Sequence, residues 1–154
     1  MTYVTLGPTL TRRPDWPERL AATIERARPI PFEWGVHDCA LFAADCVYAV
    51  TGVDVLGTWR GRWSTACTAR ALQARHGGLL LAVSKVMGPA LPAINMAKRG
   101  DLLLIDAEMP WVAVCDGSRW WAPSKTGLFM CRTSLSPASA FWPVGWQVEG
   151  EQRG

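Results

Sequence analysis

Histidine is scarce in this chain. Among 154 residues there are two, His37 and His76, so a hydrolase that needs an imidazole base has few places to find one. No Cys-x-x-Cys pair occurs, and the five cysteines (Cys39, Cys46, Cys67, Cys115 and Cys131) are odd in number. That argues against zinc or iron–sulfur sites within the chain, and no metal or cofactor is expected. Cys39 and Cys46 share a helical face but lie ~10 Å apart along the axis, too far for a disulfide. Charge runs are absent. The 16 Lys and Arg are scattered, no run is longer than Arg12-Arg13, and the net charge is only +3. Nucleic acid is therefore not an expected partner. Long apolar runs are also absent: the best, about Leu79 to Val83, is far below membrane-spanning length. The N-terminus lacks the basic and apolar regions of a signal peptide. No membrane insertion is expected, and synthesis in a cytoplasm is.

Apolar residues make up 49% of the chain, enough for the core of one domain, and nine of them are Trp. Residues 1–14 read as an extended arm, 15–148 as a single domain and 149–154 as a frayed tail. Asp15-Trp16-Pro17-Glu18 reads as a helix start with a capping box, and Trp16, Leu20, Ile24 and Ala27 mark one face. Ser64 can cap a helix that runs to about His76, and Leu79 to Met87 can form a short one. The texture then changes. Leu102–Ile105 and Trp111–Cys115 read as strands, Asp116-Gly117 as a hairpin turn, and Arg119–Ala122 and Leu128–Arg132 as further strands. Trp142–Val148 is expected to supply the last strand. Helices first and an antiparallel meander afterwards define an α+β domain.

The segment from Phe32 to Gly52 carries the chemistry. Asp38 is a good N-cap, apolar residues follow at helical spacing, and Gly52 is a good stop. Cys39 thus falls on the first turn, where free N–H groups and the helix dipole favour a thiolate. His37 stands two residues before it, either as part of the loop or as a weak candidate base. His76 reads as a residue that favours a helix C-terminus. Asp38 reads as a cap, and Asp101 as the residue that ties its turn.

Two motifs, Trp34-Gly35-x-x-Asp38-Cys39 and Lys98-Arg99-Gly100-Asp101-Leu102, occur in an order that resembles the NlpC-type papain-like cell-wall peptidases. The likeness covers about Phe32 to Leu128. It is nearest to a phage and prophage branch that is encoded among tail-tip genes and lacks the catalytic histidine. The resemblance implies a papain-like fold with N-terminal helices packed on a small antiparallel sheet, Cys39 as nucleophile, and a base at the start of the second strand. That position holds Trp111, whose indole only donates. The next strand, where an orienting residue is expected, offers Trp120, Trp121 and Ala122. Cys39 therefore has three readings: an active nucleophile, an inherited and idle one, or a plain core cysteine.

The expectation that follows is a structural component of a phage or prophage tail tip or baseplate, made in the host cytoplasm and carried in the virion. Its partners are other tail-tip or hub proteins. Trp120, Trp121, Trp142 and Trp146 are the expected contact residues, because neighbours on a strand point to opposite faces and one of Trp120 and Trp121 should face outward. Two alternatives are kept. One is an active cysteine hydrolase, a peptidoglycan endopeptidase or amidase used in cell-wall penetration. The other is a carbohydrate-binding module that stacks sugars on the same Trp residues.

Overall fold

The central helix forms because its ends are specified locally. In the computed structural model, which describes residues 9–134 and 138–147, Asp38 is extended and its carboxylate accepts the Leu41 N–H at 3.0 Å. Helix α2 then runs Cys39–Thr51 and ends at Gly52, left-handed at φ 78°. Leu41, Phe42, Ala43, Ala44, Cys46, Val47, Ala49 and Val50 are all buried, so α2 is enclosed on nearly every side. Helix α1 (Trp16–Ala27) lays Leu20, Thr23, Ile24 and Ala27 against it. The expected capping box of α1 does not form: Asp15 makes no cap bond and instead pairs with Arg19 at 2.8 Å, the proline in the first turn having removed a donor. Helix α3 (Ala66–Arg75) is capped by Thr65 rather than Ser64, because Thr68 completes a reciprocal box with Thr65. Helix α4 spans Leu79–Met87.

Strands β1 (Leu102–Ile105), β2 (Trp111–Asp116), β3 (Arg119–Ser124) and β4 (Gly127–Arg132) form the antiparallel meander. The last strand, β5, is Ala138–Trp142 rather than 142–148. Pro143 cannot extend the ladder, and the Val144 N–H goes to the Asp101 carboxylate instead, at 2.9 Å. β5 lies beside β1, pairing Leu102 with Trp142 and Leu104 with Ala140, so the order is β4-β3-β2-β1-β5. The domain is therefore α+β, with four helices and a five-stranded antiparallel sheet.

The sheet is covered on both faces, and this overturns the expected aromatic surface. Leu102, Leu104, Val112, Val114, Trp121 and Trp142 face the helices. Leu103, Ile105, Ala113, Cys115, Trp120 and Phe141 pack into a second cluster on the other side. Trp120, Trp121 and Trp142 are 1%, 7% and 0% exposed, and Trp146 is half-buried with its N–H on Asp101 at 2.8 Å. The reason is tertiary. Leu91, Ala97, Trp111 and Trp146 roof the far face, and Arg28 and Arg119 lie over Trp121. Residues 9–14, the described part of the expected extended arm, are tied to the domain. Arg12 donates to the Val144 and Arg99 carbonyls at 2.8 and 2.7 Å and to Asp101 at 3.0 Å. The remainder of the expected arm (residues 1–8) and the expected tail (149–154) lie outside the described residues.

Candidate functional site

The site is built around the start of α2. Residues 33–37 make a tight loop: Glu33 and His37 exchange backbone bonds at 3.0 and 2.8 Å. Gly35 at its turn has φ 76°, and a Cβ there would stand 2.6 Å from the Trp63 carbonyl oxygen. Only glycine allows that approach. Asp38, 1% exposed, gathers three donors: Leu41 N–H, Gly35 N–H at 3.0 Å and the Trp63 indole N–H at 2.7 Å. It is a cap, as expected, and also the anchor of Trp63, a partner no local signal announces.

Cys39 opens α2 and faces β2. It keeps some exposed surface, yet its thiol is densely surrounded. Burial is the largest influence and pushes the thiol up to about 11. The Val112 N–H pulls the other way, the Asp38 carboxylate adds to the rise, and the Ala40 and Cys39 N–H groups favour the thiolate only weakly. The expected thiolate at the helix start is therefore corrected: in this setting desolvation outweighs the helix terminus.

Two hollows meet at Cys39. One, of about 90 Å³, is apolar and includes Trp34, Leu56, Trp59, Trp63, Leu72 and Val83. The other is an open groove of about 300 Å³ with Phe32, Trp34, Arg70, Gln73, Trp111 and Phe129 among its lining. Trp111, at the start of β2, and Cys39 both line the groove, but the indole belongs to the far face of the sheet. The ring packs on Trp120 at 6.2 Å between centroids.

His37 does not complete a dyad. It is buried and lines a separate hollow of about 240 Å³ with Thr23, Arg26, Asp45 and Tyr48, between α1 and α2. Its ring lies 6.0 Å from that of Phe42. Burial lowers its pKa, against Asp45 and Asp38. His76 caps α3, with Nδ1 at 2.7 Å from the Lys85 ammonium. Neither histidine lines either hollow at Cys39. Asp101, fully buried, ties the turn before β1: it accepts from Lys98 N–H at 2.7 Å and binds Arg12, Val144 and Trp146. Among the described residues no group of three or more His, Cys, Asp or Glu could hold a metal ion, and no helix is long and apolar enough to cross a membrane. Arg70 and Gln73 of α3 also enter the groove, and sequence reasoning missed them because nothing local ties α3 to β2.

Taken together, these features define a small α+β domain whose cysteine-led helix abuts the second strand of an antiparallel sheet. The chain belongs to the family described as a domain of unknown function, DUF6950, whose model matches residues 11–144. No curated protein matches it.

Proposed function

We propose that this chain is a catalytically idle NlpC-type, papain-like domain that serves as a structural component of a phage or prophage tail tip or baseplate. One observation carries the idle part. The Cys39 thiol lies against β2 with its pKa pushed up to about 11, and the groove it opens onto holds Trp111 and no histidine. Nucleophilic catalysis by cysteine needs a base within hydrogen-bond reach and a third group to orient it. Among the described residues the only carboxylate lining either hollow is Asp38, whose oxygens are already engaged. The resemblance carries the tail-tip part: its first motif, Trp34-Gly35 and Asp38-Cys39, stands around the helix start at the site, and its second, Arg99-Gly100-Asp101, at the entry to β1.

In this reading the domain keeps an inherited scaffold and contributes surface, not turnover. Its contacts with hub proteins come from residues other than Trp120, Trp121 and Trp142, which are spent on its own core. The test has two arms. Purified protein incubated with peptidoglycan fragments is expected to release no new amines or muropeptides, since a missing general base alone costs ~10²–10⁴ in rate. Turnover that vanishes in Cys39→Ala would instead promote the endopeptidase or amidase. In the second arm, phage particles are probed for the chain by immunogold labelling and mass spectrometry. Its presence at the tail tip is expected; particles that lack it and remain infectious overturn the structural role.

A further inference from the structure

The two edges of the sheet are finished differently. β5 is sealed, because Phe141 exchanges both backbone bonds with Leu91, at 2.8 and 2.9 Å. β4 is open. On it Phe129 and Cys131 lie opposite Ala122 and Trp120, and the Thr133 N–H beyond its end reaches the Ser118 carbonyl at 2.9 Å. The Leu128 N–H turns the other way, to the Arg28 carbonyl at 2.9 Å. The alternation of an antiparallel ladder then aims the N–H and C=O of Met130 and Arg132 away from the sheet. Among the described residues no backbone group answers them. Among the described residues the Arg132 carbonyl receives only the Cys131 thiol, at 3.5 Å. Phe129 and Met130, neighbours on opposite faces of β4, are 50% and 42% exposed. Proteins ordinarily blunt such an edge, because it templates a further strand.

The surroundings are basic. Lys125 sits in the turn before β4, Arg132 ends the strand, and Arg70 lines the adjoining groove beside Phe129. Among the described residues none of these three cations has a side-chain partner. Among the described residues no Asp or Glu lines that groove. Asp116, at the far end of β2, is already taken by Arg99, Arg119 and Trp121.

We propose that β4 is a docking edge for an extended, acidic segment of a partner protein. The segment joins the sheet as a further antiparallel or parallel strand, and its alternate side chains lie over Phe129 and Met130. Open backbone groups select an extended chain, and the unpaired cations select its charge. A second copy of this protein is the poorer occupant, because it would bring the same cations to the same edge. The proposal rests on the reading of the chain as an assembly component and names the surface that reading needs.

The probe is a blocked heptapeptide that alternates Glu with Val, compared with one that alternates Lys with Val. Saturating Glu peptide is expected to slow amide exchange of Met130 and Arg132 at least ~10-fold, with little change at Phe141. Met130→Pro removes an outward N–H that the sheet does not use, a substitution edge strands tolerate, and is expected to abolish the protection. Should that variant melt early, the pair Lys125→Glu and Arg132→Glu serves instead and should weaken binding by ~10-fold or more. Absence of protection, equal binding of the Lys peptide, or a dimer in sedimentation that Met130→Pro dissolves would each overturn the proposal. The two readings fail separately. Peptide binding at β4 with the chain absent from particles sinks the tail-tip role and leaves the edge standing; a chain found at tail tips that ignores the peptide does the reverse.

Discussion

Two buried carboxylates, Asp101 and Asp38, organise opposite parts of this molecule, and each has a thiol beside it. Asp101 gathers the Lys98 and Val144 N–H groups, the Trp146 indole and the Arg12 guanidinium. Asp38 gathers two N–H groups and the Trp63 indole, all neutral. Cys115 near the first and Cys39 near the second are both pushed up to about 11, chiefly by burial. The difference is the cation. Asp101 is half of an ion pair that pins the N-terminal segment to β1 and to the chain beyond β5, whereas Asp38 is a helix cap with one long-range guest. The lesson is that one is a joint of the whole fold, while the other shapes a site.

The largest effect should come from breaking the joint. Asp101→Ala leaves Arg12 buried without its counter-charge and strips an acceptor from three donors, so a loss of about 3–5 kcal/mol is expected in urea unfolding. If Asp101→Ala costs no more than Asp38→Ala, the contrast between the two stations is wrong.

Asp38→Ala should come next. Losing a cap costs about 1 kcal/mol, and a buried indole N–H without an acceptor about 1–3 kcal/mol. Trp63 fluorescence should shift with it, because the indole loses its only polar partner, and Asp38→Asn should recover part of both. An unmoved Trp63 spectrum would remove the long-range half of the description.

Alkaline pH tests what the two stations share. Below pH 9 both thiols are protonated folded or unfolded, and the contribution is complete. Between about 9 and 11 the unfolded chain loses those protons while the fold retains them, so stability should fall as pH rises through that window. Urea midpoints measured from pH 8 to 11 should show a slope that Cys39→Ala and Cys115→Ala each reduce. A flat profile would mean that the thiols are not held in their neutral form.

The smallest change sharpens the site alone. Trp111→His places an imidazole at the start of β2, where the strand lines the groove of Cys39, while Cys115, on the same far face of the sheet, lies further along the strand. Each unit by which it lowers the Cys39 pKa raises the thiolate fraction about tenfold near neutral pH. Iodoacetamide labelling of Cys39 at pH 8, followed by peptide mass spectrometry, should accelerate by about that factor while Cys115 does not change. No acceleration would mean that position 111 is out of reach of the sulfur, which would undercut the likeness on which the functional proposal rests.

What could be read in the residues was short-range. The Asp38 cap, Cys39 at the helix start, the Gly52 stop, the Asp116-Gly117 turn and the tie at Asp101 each rest on partners a few positions away, or on conformations that one residue type prefers. Four helices followed by a sheet were legible from hydrophobic spacing for the same reason. Tertiary structure alone decided the rest. The Asp101 bond to Arg12 spans 89 positions and the Asp38 bond to Trp63 spans 25. The pairing of β5 with β1 moved the last strand to Ala138–Trp142. A roof over the far face buried both Trp120 and Trp121, where alternation along a strand can say only that they point apart. The thiol of Cys39 follows the same rule. Its place at a helix terminus is written in the neighbouring residues and favours the thiolate. Its desolvation depends on α3, α4 and β2 closing around it, and that is a sum over distant atoms that no local pattern records.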